Sequence, residues 1–225
     1  MVRVRRLGVV AFAIAPLVFG VSSSAASARL APSGNPHVSA AATSPRGAVP
    51  FRGAFRVTAT WGATTGYTHA TPAVDFALPI GTPVYAANNG FVDFTSRDPR
   101  NCNPLQHGAT YALGIKWCMD HGLDGTRIRI HGDDGTFTMY VHLSAIRTGI
   151  SASPASRVKV GQLIGWSGNS GISTGPHLHF SRINVAGTAT IDPGILRACW
   201  SATAHNYSNL KSLRGTTVRN DGYTC

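Results

Sequence analysis

Gly168-Asn169-Ser170-Gly171-Ile172-Ser173-Thr174-Gly175-Pro176-His177-Leu178-His179-Phe180 is a Gly/Ser/Pro-rich loop running into two histidines separated by one residue. On a β-strand, residues i and i+2 project from the same face. His177 and His179 are therefore predicted to reach into one site while Leu178 and Phe180 anchor the strand in the core. Such a strand offers a metal ligand and a proton-transfer group together, because apolar neighbours on the opposite face fix the direction of both imidazoles.

Two further stretches supply context. Thr68-His69-Ala70-Thr71-Pro72-Ala73-Val74-Asp75-Phe76-Ala77-Leu78-Pro79-Ile80-Gly81-Thr82-Pro83-Val84-Tyr85-Ala86 contributes a histidine and an aspartate, then a turn and a strand. Met139-Tyr140-Val141-His142-Leu143 is a third place where a histidine alternates with apolar residues. Taken in order over about residues 50 to 192, the chain resembles the zinc metallopeptidases of the lysostaphin type, also called M23 or LytM-like peptidases. Their pattern is His…Asp, then Tyr-x-His-Leu, then Gly-Asn-Ser-Gly-x-Ser-Thr-Gly-Pro-His-Leu-His-Phe. The family commonly spaces its first pair as His-x-x-x-Asp. Here five residues separate His69 from Asp75, a loop variant that keeps the site; His69 is the only histidine between His37 and His107.

The resemblance implies an antiparallel sheet bent around a groove, with one zinc ion per chain on its floor. It makes His69, Asp75 and His179 the zinc ligands and places His142 and His177 beside the bound water as general base and stabiliser of the tetrahedral intermediate. Two imidazoles and a carboxylate suit Zn²⁺ and leave a fourth position for water. There is no His-Glu-x-x-His, which argues against the helix-borne zinc proteases. If the His142/His177 pair must be partly neutral, activity declines on acidification through about pH 6 to 7.

The mostly β class also follows from the residues. Short alternating segments separated by Gly, Pro, Asn and Asp predict strands at Phe55–Thr60, Pro83–Ala86, Phe91–Thr95, Arg127–His131, Thr136–His142, Gln162–Trp166 and His177–Ile183, and no long amphipathic helical pattern occurs. Asp133-Asp134-Gly135 is a hairpin signal. In the strand after it, alternation places Phe137, Met139 and Val141 on one face and Thr138, Tyr140 and His142 on the other, so that His142 faces the cleft.

Residues 1–28 read as a cleaved secretory signal: Arg3, Arg5 and Arg6, an apolar run from Leu7 to Val21, and Ala26-Ser27-Ala28. The run contains Pro16 and is shorter than the roughly 20 residues of a spanning helix. Residues 29–50, rich in Ala, Ser, Pro and Gly, form a flexible leader. Residues 51–192 are the peptidase-like domain, 96–125 a wall-forming insert, and 193–225 a C-terminal extension. Inserts beside a site carry specificity.

Four cysteines, Cys102, Cys118, Cys199 and Cys225, allow three pairings, of which proximity favours Cys102–Cys118 with Cys199–Cys225. No Cys-x-x-Cys suggests a thiolate metal site. The net charge is +11, and without Arg3, Arg5 and Arg6 there remain 17 basic and 9 acidic residues, or +8. That excess favours polyanions such as anionic wall polymers, while no nucleic-acid motif accompanies it. His131 ends a strand before a turn and reads as structural. His107 and His121 read as solvated positions of the insert, with groove lining as the alternative; Trp61 and Tyr67 are either an aromatic wall or core.

The expectation is thus a secreted, monomeric zinc endopeptidase with a peptide of bacterial peptidoglycan, cross-bridge or stem, as its substrate. No stable membrane insertion is expected after signal cleavage. The alternatives are a catalytically silent wall-binding or regulatory module, and a zinc enzyme acting on soluble glycine-rich peptides.

Overall fold

The computed structural model describes residues 48–60, 69, 72–187, 190–191, 196–197, 206–207 and 214–220. The signal, the leader up to residue 47, Trp61, Tyr67, Cys199 and Cys225 lie outside the described residues. Among the described residues no helix is long and apolar enough to cross a membrane.

The main sheet is antiparallel. Its strands are β1 (Gly53–Ala59), β2 (Val74–Phe76), β3 (Pro83–Tyr85), β4 (Gly90–Ser96), β6 (Thr126–Gly132), β7 (Phe137–Ile146), β8 (Arg157–Val158), β9 (Leu163–Ser167), β11 (Leu178–Ile183), β12 (Thr190–Ile191) and β15 (Thr217–Asn220). Between them lie the two-residue strands β5 (Asn101–Cys102), β10 (Gly171–Ile172), β13 (Leu196–Arg197) and β14 (Asn206–Tyr207). The central path runs β15-β1-β2-β11-β7-β6-β4-β8, with β9 bridging β7 and β3. Each of the seven predicted strands is present within two residues of its expected ends, apart from β7, which continues four residues beyond His142 to Ile146. Gly135, with a positive φ of 79°, turns the chain between β6 and β7 as the hairpin signal required.

Alternation explains the core. Val57, Val74, Phe76, Ile128, Ile130, Tyr140, Leu178 and Phe180 are all at most 1 % exposed and pack on one face. Each fully buried side chain of this size contributes about 1.5–3 kcal/mol, so the strands that bear the histidines are among the most firmly seated in the molecule.

Two expectations need correction. Tyr140 and Thr138 face the core, not the cleft; the Tyr140 hydroxyl accepts the Ala87 N–H at 2.7 Å, and burial pushes its pKa up to about 12. The insert is also more than a loop, for it contains the helix α1 (Tyr111–Asp120), capped by the Thr110 hydroxyl accepting the Leu113 N–H. Helix α1 leaves little mark in the sequence pattern because its buried residues are the small Gly114 and Cys118 while the apolar Leu113 and Met119 are exposed. Cys102 and Cys118 form a disulfide that ties β5 to this helix, as proximity suggested. From the extension, β15 pairs with β1, Val218 enters the core, and the Asn220 side chain donates to the Phe51 carbonyl at 2.5 Å.

Candidate active site

The groove floor is one row across the sheet. Ala59 on β1 pairs with Asp75 on β2, Asp75 with His179 on β11, and His179 with Val141 on β7. Directly cross-strand residues share a face, so Asp75 and His179 point the same way, while their neighbours Val74, Phe76, Leu178 and Phe180 hold the opposite face in the core. His69 joins from between β1 and β2 in the sequence, its N–H bonded to the Thr60 carbonyl at 3.0 Å.

His142 enters the row by a different device. Thr126 pairs with Leu143 and Ile128 with Tyr140, so Arg127 alone opposes both Val141 and His142. This is a β-bulge, and His142 carries its left-handed residue with φ 65°. Among the described residues it is the one non-glycine with positive φ. The bulge undoes the alternation: His142 reaches the groove together with Val141, whereas Tyr140 stays buried. Ser170 braces the bulge by accepting the Thr126 N–H at 2.9 Å and donating to the Leu143 carbonyl at 2.7 Å.

All five sequence-predicted residues therefore line one cavity of about 510 Å³. His69 Nε2 and His179 Nδ1 each lie 3.0 Å from Asp75 Oδ1, and the three donor atoms fall within 4.8 Å of one another. Bonds of 2.0–2.1 Å in a tetrahedral site separate ligand atoms by about 3.3 Å, so the two contacts to Asp75 are already near that spacing and small side-chain rotations bring the trio around one ion. Burial would raise the Asp75 pKa, but hydrogen bonds from His179 and His69 and the neighbouring imidazoles outweigh it and hold the carboxyl well below the usual carboxylate range. It is thus ionised, as a metal ligand must be.

The other two histidines are held by backbone carbonyls. His142 Nδ1 donates to Ser170 O at 2.7 Å and His177 Nδ1 to Gly175 O at 2.8 Å, which leaves the lone pair of each Nε2 free. Their ring centroids are 4.5 Å apart. Burial and then the nearby His177 and His179 push the His142 pKa down to about 3, so His142 is neutral at pH 6 to 7. His177 Nε2 faces Asp75 Oδ2 at 3.6 Å.

The loop bearing these carbonyls, residues 168–176, is pinned from outside. Gly168 lets it approach β7, since a Cβ there would meet Ser144 N at 2.4 Å; Gly171, at φ 71°, packs against Asp124 O. Strand β10 in this loop pairs with β5 of the insert, and Asn101 Nδ2 donates to the carbonyls of Asn169, Ser173 and Gly171 at 2.6, 3.1 and 3.4 Å. The disulfide thus fastens the strand that carries the loop.

A match to the model of Peptidase family M23 spans residues 69–193. The chain belongs to this family. Over 111 residues it is 38 % identical to the peptidoglycan DD-endopeptidase ShyA of Vibrio cholerae, covering 48 % of this chain and 19 % of that protein. It is 35 % identical to the glycyl-glycine endopeptidase ALE-1 of Staphylococcus capitis, covering 49 % and 24 %. The chain thus spans about a fifth to a quarter of the length of these relatives. Among solved structures, the catalytic domain of the M23 protein EnpA from Enterococcus faecalis superposes with a TM-score of 0.43 at 26 % identity, over 62 % of this chain and 88 % of that one.

Other positions read from the sequence resolve differently. His131 stacks on Phe137 and meets Phe91 at a tilt, outside the cavity. His107 and His121 sandwich Trp117, with centroids 4.0 and 3.9 Å away, and do not line the groove. Sequence reasoning missed Ser170 and Asn101, which position the histidine pair, and Tyr111, Asp124 and Arg127 on the groove wall. The motif signalled only Ser170, by position and not by role.

Proposed function

We propose that this M23 member is a zinc metalloendopeptidase hydrolysing a peptide bond of bacterial peptidoglycan, with His69, Asp75 and His179 holding one Zn²⁺ per chain. The observation that carries the reading is the convergence of three metal-type donors and two tautomer-fixed imidazoles in one cavity. Bound zinc polarises the scissile carbonyl and lowers the pKa of its water to about 7.

The remaining work falls to this chain's own groups. The sequence contains no glutamate. The carboxylates lining the groove are Asp75, engaged with the ligand histidines, and Asp124, paired with Arg127. Proton handling therefore goes to imidazoles. Kept neutral by burial, His142 orients the attacking water through its Nε2 lone pair. His177, with a carboxylate beside Nε2 and acceptors at Nδ1, takes the water proton and delivers it to the leaving nitrogen as the amide C–N bond breaks. Export through the 1–28 segment and attraction of a +8 chain to an anionic wall accompany this role.

The test is mass spectrometry of fragments released from purified cross-linked peptidoglycan, with His179→Ala as control. New amino termini absent from the control are the expected result and name the bond; intact wall in both samples would favour a silent wall-binding module.

A further inference from the structure

The row Ala59, Asp75, His179, Val141 ends, one strand further on, at Arg127, which stands opposite the bulge. Arg127 lines the same cavity as the five histidine and aspartate residues. Strands lie about 4.8 Å apart, so its backbone is roughly 10 Å from that of His179 across the groove floor. An extended peptide advances about 3.4 Å per residue. A group meeting Arg127 therefore belongs to a residue within about three of the scissile amide.

The guanidinium is fixed yet incompletely engaged. Its Cζ lies over the Phe94 ring, 5.2 Å from the centroid, and Nη2 donates to Asp124 Oδ2 at 3.0 Å; Nε, buried, makes no hydrogen bond. Asp124 is about half exposed and three residues away on the same chain segment, and such a pair holds weakly in water. Its neighbour Arg129 differs: it grips Asp93 with both Nε and Nη2. A second anion can thus displace or share the Asp124 contact of Arg127 but not the Asp93 contact of Arg129. Tyr111 of α1 and Asp124 line the same cavity, so the insert and Arg127 border it together.

Resting on the peptidase reading above, we propose that Arg127 is a specificity-determining residue: it pairs with a carboxylate carried by the peptide within about three residues of the bond cleaved. The preferred substrate is then an anionic stem-type peptide, and a neutral glycine cross-bridge is disfavoured.

The experiment compares one muropeptide dimer in two forms, with every side-chain or terminal carboxylate within about three residues of the scissile amide either free or converted to its primary carboxamide. Zinc-loaded wild type is expected to favour the carboxylate about tenfold or more in kcat/KM, chiefly through KM, the scale of a charge-assisted hydrogen bond. Arg127→Gln abolishes the preference, Arg127→Lys keeps part of it, and Asp124→Asn enlarges it by removing the competing anion. Calorimetric titration of both forms into His142→Ala protein reads the same discrimination without turnover. Equal affinity for the two forms, or a preference that survives Arg127→Gln in folded protein, overturns the assignment. Binding with the expected preference but no cleavage by wild type would instead overturn the peptidase reading and leave the Arg127 assignment standing.

Discussion

The two halves of the site are built by different means. The metal-type half, Asp75 and His179, rests on strand register: the residues pair directly between β2 and β11, and flanking core side chains lock their direction. The half proposed to handle protons, His142 and His177, depends on a bulge, a left-handed residue and two loop carbonyls, with the loop secured by Asn101 and a disulfide-tied strand. Register is enforced by every core contact of the sheet, whereas a bulge and loop depend on a few specific bonds. The first half should therefore tolerate peripheral change, and the second should be adjustable from a distance.

The sharpest break between the halves is in metal content. His179→Ala or Asp75→Ala should empty the site by elemental analysis and lower peptidoglycan cleavage by at least about 10³-fold, because two remaining donors hold zinc poorly. His142→Ala should retain stoichiometric zinc while kcat falls about 10²- to 10⁴-fold. Loss of zinc in this variant would show that the halves are not separable.

A third test uses acid. In metal-free protein the folded His142 pKa is near 3 against about 6.5 unfolded. The unfolded state binds more protons between these values, so stability falls as pH drops from about 6.5 towards 3, by up to about 4 kcal/mol. The carboxyl of Asp75, depressed when folded, adds its own loss only below about pH 4. Denaturant melts from pH 7 to 4.5 should show the slope in wild type and a flatter one in His142→Asn; equal slopes would dissociate His142 from it. The mildest perturbation is Asn101→Ala, expected to cost about 1–3 kcal/mol and to reduce kcat severalfold with zinc content unchanged. A KM effect alone would mean that the brace serves substrate binding and not the histidine pair.

Legibility followed the same division. His177, Leu178, His179 and Phe180 behave as simple strand alternation requires, with both apolar residues in the core and both imidazoles in the groove. Alternation failed at Tyr140–Val141–His142, because a bulge adds one residue to one strand and leaves no mark in hydrophobic pattern. Helix α1 is hard to read because its inward face carries the small Gly114 and the disulfide-bonded Cys118 while Leu113 and Met119 face outward. Arg127 and Asn101 resemble any polar surface residue until the residues opposite them are known.

The sequence alone specifies the β class, the spacing of the family motifs and the chemical types available: imidazoles, aspartates and no glutamate. Those follow from local periodicity and side-chain chemistry, which are properties of residues and near neighbours. Only the tertiary structure decided which face His142 occupies, which carbonyls fix the two tautomers, and that an arginine closes the row. Each depends on the pairing of strands distant in sequence, and one residue of register or one bulge changes which side chains meet.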